Sequence, residues 1–240
     1  MRKRISLKTR RPGLSPGAFR DHYENRHVPL GLAFVDRFQW RRYVRNYVLE
    51  VIGAPIAFDG YTEFWVDDDA NDEVLARFVA SPEFEVLKED DRRFLDVEAR
   101  FSCEVVEVPF GRNARDPGPD APAAKVALLW KSGPAPARDV AALARRITEP
   151  VADGIAEATL EEVVDPPPTA PFDTLLTLRL AADLAADLAA DLAVDALPAT
   201  SWSLLTLDPV ETPADRLFGG SRTASADLAS AATPSERTLR

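Results

Sequence analysis

Residues Phe19–Leu30 read FRDHYENRHVPL. Ser15 and Pro16, just ahead, make an N-cap and a favoured first-turn proline. Phe19, Tyr23 and His27 recur every four residues and so share one helix face. Pro29 has no N–H to give and biases Val28 away from helix. The spacing therefore predicts a helix that ends with His27 in its last turn, where the dipole favours a cation. His22 falls roughly 100° around from Tyr23 and reads as a surface residue. What flanks this helix decides the fold. Before it, Ile5 to Arg10 alternates as a strand; after it, QWRRYVRNYVLEV (39–51) alternates as a long one.

The strands that follow have two readable faces. Tyr43, Arg45 and Tyr47 point one way and Val44, Asn46 and Val48 the other. In the strand YTEFWV (61–66), Tyr61, Glu63 and Trp65 share a face with Asp59, opposite Phe58, Thr62 and Phe64. DDDAND (67–72) suits a helix entry. Helix continues through NDEVLARFVAS (71–81) and SPEFEVLKEDDRRFLD (81–96), and RFSCEVVEVPF (100–110) closes as a strand. The order is β-α-β-β-α-β, the ferredoxin-like pattern.

After a polar, proline-rich linker at 111–123 the order runs again. AKVALLWK (124–131), ATLEEVV (158–164), FDTLLTLRL (172–180) and TSWSLLTLDPV (200–210) read as strands. PARDVAALARRI (136–147) and AADLAADLAADLAVDAL (181–197) read as helices, the latter with Leu184, Leu188 and Leu192 in one stripe. The expected organisation is a first domain at 1–110, a second and degenerate copy at 124–211, and a flexible tail at 212–240. The fold class is α+β. A four-stranded sheet with helices on one face leaves the other bare. Two such halves closing on each other form a pseudo-dimeric α/β barrel, with the lumen as the expected pocket for an apolar ligand.

Composition limits the function classes. The chain has 240 residues, 46% hydrophobic and 28% charged, which suits a globular protein. A net charge of −10 disfavours a nucleic-acid partner. The basic start MRKR is not followed by an unbroken apolar run, so it is not a signal peptide. No run reaches the roughly 18 apolar residues of a membrane span. A cytoplasmic protein is the expectation. One cysteine, Cys103, excludes an internal disulfide, and with only two histidines no ordinary structural zinc site can be assembled.

RISLKTRRPGLSPGAFRDHYENRHVPL (4–30), RRYVRNYV (41–48), AFDGYTEFWVDD (57–68) and EDDRRFLD (89–96) together resemble the EthD domain family, of the dimeric α/β-barrel superfamily. The resemblance covers about residues 4–110. The second half has no histidine in RRITEP (145–150), no counterpart of RNY, and Thr177 where Glu63 would recur. The resemblance implies a protein of small-molecule catabolic or polyketide-type pathways, some of whose relatives are dehydratases or cyclases. It carries the family's helix-end histidine to His27 and its Arg-Asn pair to Arg45 and Asn46. Its strand acids map to Asp59 and Glu63, and its acidic pair to Asp90 and Asp91.

Dehydration next to a carbonyl needs a base for the α-proton, an acid for the departing hydroxyl and a group to hold the enolate. Histidine titrates near working pH, so His27 suits the first or second task. Asp59 and Glu63, partly buried in the lumen, are the candidate acids if burial raises their pKa values. Asn46 is the favoured oxyanion holder over Arg45. Tyr23, Tyr43, Tyr61 and Trp65 are the candidate substrate contacts. Blander readings stand beside these: Asp59 capping the turn before Gly60, Glu63 pairing with an arginine of a neighbouring strand, and Asp90 and Asp91 as a solvated face. Asp90 or Asp91 could instead anchor His27 and set its tautomer. The expected function is a lyase, a dehydratase or cyclase on an aromatic or polyketide-like intermediate, with neither metal nor redox cofactor. The alternatives are an accessory protein that binds an apolar small molecule, and a monooxygenase, cofactor-free or with His27 as an axial haem ligand. The expected partner is a small-molecule substrate, with no membrane, and the chain acts as a monomeric pseudo-dimer or a homodimer.

Overall fold

The computed structural model describes residues 1–108, 123–131, 137–149, 152, 155–181, 192 and 202–218. The first half contributes strands β1 (Arg2–Lys8), β2 (Trp40–Gly53), β3 (Gly60–Val66) and β4 (Phe101–Glu107). The second contributes β5 (Ala123–Trp130), β6 (Ile155–Val163), β7 (Thr174–Ala181) and β8 (Trp202–Glu211). All eight close one antiparallel barrel in the order β1-β3-β2-β8-β5-β7-β6-β4. Each half is a ferredoxin-like sheet, β4-β1-β3-β2 or β8-β5-β7-β6, and the halves join where β2 meets β8 and β4 meets β6. The α+β pseudo-dimeric barrel expected from the repeated element order is the fold of this chain. The registers also pair Ile5 with Glu63 and Ala127 with Thr177, so Thr177 stands where Glu63 would recur.

Alternation sorts the strand residues into two environments. Ile5, Leu7, Tyr61, Cys103, Leu129, Leu175 and Leu205 pack inside the barrel. Tyr43, Tyr47 and Phe64 face outward and are covered by the first-half helices. The outer face of the second sheet packs on α6 (Ala137–Thr148) through Val140, Ala144 and Ile147. The AADL helix expected at 181–197 lies outside the described residues apart from Ala181 and Leu192; Leu192 is buried with that same cluster. The linker at 111–123 likewise lies outside them, except for Ala123 at the start of β5.

The helices over the first sheet differ from the expectation in one respect. α1 (Pro16–His22) starts as predicted, with the Ser15 hydroxyl accepting from the Ala18 N–H at 3.1 Å. The chain does not stop at His27. It widens into a π turn over Tyr23–His27, closed by the Val28 N–H donating to the Tyr23 carbonyl, and continues as α2 (Val28–Leu32). Pro29 cannot donate to the residue four before it. The π turn breaks the four-residue ladder just ahead of Pro29, so the proline falls in the first turn of α2, where a missing N–H is tolerated. α3 (Val35–Phe38) then leads to β2 through Gln39, which takes up a left-handed conformation. On the other side of the sheet's helical layer lie α4 (Asp72–Val79) and α5 (Pro82–Phe94). Where a flexible tail was expected from residue 212, Ala214–Phe218 forms a short helix, α7, and Leu217 is buried in the first-half core. The remaining tail, 219–240, lies outside the described residues.

Gly60 opens β3 against β2. A Cβ there would sit 2.5 Å from the Asn46 carbonyl oxygen, a backbone atom that cannot swing aside. Gly60→Ala is expected to force the two strands apart and cost about 1–3 kcal/mol, the usual scale of overpacking. A urea denaturation midpoint equal to wild type would show that the strands absorb the methyl group.

Candidate functional site

The barrel wall separates the predicted site residues into two groups. A side chain on a helix packed outside the wall cannot meet one that points into the lumen. His27, Tyr23 and Tyr43 lie on the helix side, around a cleft of about 310 Å³ between the first sheet and its helices. Asn46, Glu63, Tyr61 and Trp65 lie in the lumen, and Asp59 lies on the loop before β3. The expectation that His27 faces the lumen is therefore corrected: it faces the cleft.

The lumen group has its own chemistry. Glu63 is 2% exposed and takes Lys3 at 2.6 Å, while Lys125 and the Asn46 amide bind its other oxygen. Lys3 also reaches Glu161 at 2.8 Å. Burial alone would raise the Glu63 carboxyl, but Lys125 and Lys3 outweigh it and hold its pKa far below the usual range. Glu63 is thus an ionised anchor, not the raised-pKa acid that burial suggested, and its partners are lysines rather than a neighbouring arginine. Asn46 spends its amide N–H groups on Glu63 and the Tyr61 carbonyl. Trp65 lies between the Lys3 ammonium and the Arg42 guanidinium, each 4.7 Å from its ring centre. Asp59 accepts from the Arg10 backbone N–H and binds its guanidinium, at 2.8 and 2.7 Å.

The helix side assembles a different constellation. His27 Nδ1 lies 3.0 Å from Asp90 Oδ2, and His22 Nε2 lies 3.0 Å from Asp90 Oδ1. Burial alone would raise the Asp90 carboxyl; the hydrogen bonds from His27 and His22 outweigh it and leave its pKa below the ordinary value. An ionised carboxylate only accepts, so the proton of His27 sits on Nδ1 and Nε2 is left as the basic nitrogen. Nε2 lies 3.6 Å from Asp91, which is itself held by Arg100. Asp90 and Asp91 project from α5 and are 8% exposed each, so these two anchor His27, while Glu89, Arg92 and Arg93 of the same run are exposed.

Aromatic side chains build the rest of the cleft. The Tyr23 ring meets His27 edge-on at 5.4 Å. Its hydroxyl lies 2.6 Å from Thr62 Oγ1, and the Tyr43 hydroxyl donates to it at 3.5 Å. Burial pushes the Tyr43 phenol well above its ordinary value, so it serves as a donor and not a base. Trp40 stacks on Phe64 at 4.9 Å and on Phe38 at 4.3 Å. From β1, Arg4, Ser6 and Lys8 line the sheet side. Behind this wall Arg45 makes a bidentate pair with Glu24 at 2.9 and 3.0 Å, and Tyr47 donates to Glu24 at 2.6 Å. Arg45 therefore points away from the lumen, opposite Asn46, as the pleat requires.

Four members were missed or set aside by sequence reasoning. His22 was dismissed on α-helical geometry, and the signal that could have kept it was Pro29, whose position strains an uninterrupted α-helix. Trp40 and Phe64 carry no local signal, since they reach the cleft through sheet register alone, and Arg100 reaches it from the turn just before β4. Among the described residues no group of three or more His, Cys, Asp or Glu side chains is arranged to hold a metal ion, and no helix is long and apolar enough to cross a membrane.

The EthD domain family matches residues 11–98, the segment that carries every residue of the His27 cluster except Arg100. In structure the chain is similar to a candidate monooxygenase from Lactobacillus acidophilus NCFM, at 12% identity over 89% of this chain and 96% of that one, with a TM-score of 0.48. It is also similar to an anthrone oxidase-like protein, at 11% identity over 88% and 92% of the two chains, with a TM-score of 0.46. No curated protein matches the sequence.

Proposed function

We propose that the cleft beneath the helices of the segment matched by the EthD domain family is the active site of a lyase, a dehydratase or cyclase acting on an aromatic or polyketide-like intermediate. The observation that carries this reading is the orientation of His27, with Nδ1 tied to Asp90 and Nε2 left basic beside Asp91. Nε2 takes the proton α to the substrate carbonyl. The imidazolium so formed has Asp90 at Nδ1 and Asp91 3.6 Å from Nε2. The Tyr23 hydroxyl, which accepts from Tyr43 and lies against Thr62, turns its own proton to the enolate oxygen. The same imidazolium then returns the proton to the departing hydroxyl, so one water leaves and His27 is restored. No metal or redox cofactor takes part in this scheme. The aromatic walls from Trp40, Phe64 and Phe38 suit a planar ring.

Mass spectrometry tests the proposal: aromatic and polyketide-like β-hydroxy ketones are incubated with the protein and followed for the loss of one water. Turnover of at least one, accompanied by exchange of its α-proton with solvent deuterium, is expected. Binding of such compounds in the cleft with neither exchange nor water loss would replace the lyase with an accessory binding protein. The domain arrangement proposed with it is a catalytic first half at 1–110 and a second half at 124–211 that closes the barrel.

A further inference from the structure

We infer that His22 is a positioning residue for His27: it grips the second oxygen of Asp90 and so fixes the tautomer in which His27 keeps Nε2 free toward the cleft. This deepens the reading of His27 as the base. It rests on geometry that a regular helix would not provide. Five residues along an α-helix turn the chain through a net of roughly 140°, which would point His22 and His27 apart. The π turn between them is hydrogen-bonded over five residues and brings both imidazoles to one side. Asp90 meets them there, with one oxygen 3.0 Å from each ring.

The fully buried Phe94 ring is wedged against both. It stacks on His22 at 4.8 Å with planes 20° apart and lies 5.0 Å from His27. Both ring planes are thus set by packing, and the carboxylate is held at both ends. A carboxylate gripped at one oxygen turns about its Cβ–Cγ bond. One gripped at both keeps a lone pair aimed at His27 Nδ1. The other charged groups at this cluster, Asp91 and Arg100, bind each other and approach His27 from the Nε2 side, so they do not compete for Asp90. The accounting also requires the two histidines to be in opposite tautomers, His22 protonated on Nε2 and His27 on Nδ1.

The chain has only two histidines, so a protein labelled with 15N-histidine shows two imidazoles that single variants assign. Above the pH at which the rings titrate, the wild-type spectrum is expected to show one ring of each tautomer. Two Nε2–H rings would overturn the inference without any variant. His22→Phe keeps a ring against Phe94 but removes the donor; His27 is then expected to lose its dominant Nδ1–H form, and the Asp90 carboxyl, followed by 13C, to titrate at higher pH than in wild type. His22→Gln restores an N–H donor and is expected to bring both signals back toward wild type. A His27 tautomer unchanged in a folded His22→Phe protein would also overturn it. None of these signals depends on turnover. A protein with the expected tautomers and no water-removing activity would refute the lyase alone.

Discussion

Glu63→Ala is expected to destabilise the protein by about 3–5 kcal/mol, the scale seen when one partner of a buried ion pair is removed. That is a large share of the 5–15 kcal/mol that holds an ordinary domain together. Lys3 keeps Glu161 in this variant, but Lys125 loses its carboxylate at a position 9% exposed. Urea denaturation followed by circular dichroism measures the loss, and a midpoint at the wild-type value would show that the cluster holds nothing. The companion variant Glu63→Leu with Lys125→Met removes the charges together and is expected to recover most of the loss, since apolar replacement of a whole buried pair is often neutral.

The pH dependence has a definite sign. The folded pKa of Glu63 is depressed, so its contribution is fully present above the unfolded carboxyl pKa of about 4.3 and is lost as pH falls toward the folded value. The stability gap between wild type and Glu63→Gln is therefore expected to be constant near neutrality and to shrink in acid below about pH 4.3. A gap that widens in acid would contradict the ion-pair account.

The second large effect is on chemistry. His27→Ala is expected to lower turnover by about 10²–10⁴-fold, the usual worth of a positioned acid or base, with little change in substrate binding. The fold should survive, because the helix stays held by Phe19, Tyr23 and Val28 in the core and by Arg45 on Glu24 when the His27 ring is removed. Single-turnover kinetics on the substrate found in the water-loss screen, with near-ultraviolet circular dichroism as the control for folding, separates the two. Full activity in a folded His27→Ala protein would remove the histidine from the mechanism. Asn46→Ala and Trp65→Ala, both in the lumen, should leave the chemical step unaffected where the protein folds.

The barrel was legible in the sequence because strands announce themselves by alternation and the element order occurs twice. Even the faces were legible: Tyr61 with Glu63 and Trp65, Asn46 opposite Arg45. What alternation does not state is which face shares a compartment with a given helix. Asn46, Glu63, Tyr61 and Trp65 were grouped with His27 because they are polar or aromatic and half-buried by pattern, yet a sheet stands between them. Asp59 was grouped with them on the same face pattern, although as a loop residue it is tied to Arg10. The His27–Asp90 contact was legible only as one of two readings of KEDDRRF, since a charge run looks the same whether it faces water or an imidazole. His22 was lost to a local departure from α-helical geometry, which periodicity cannot anticipate.

The lumen cluster also differs between the two halves. Register alignment makes Lys3 the equivalent of Lys125, Glu63 of Thr177, and Asn46 of Glu161. The lysine is repeated by the pseudo-twofold axis, whereas the carboxylate stands on β3 in the first half and on β6 in the second. Each half therefore brings one cation and one anion of this cluster to the interior, although His27 has no second copy. Positions 3, 63, 125 and 161 are coupled through these contacts, and none of them touches the His27 cluster. Removing His27 leaves all four of these charges paired, so the stability of the barrel and the chemistry of the cleft can be lost separately.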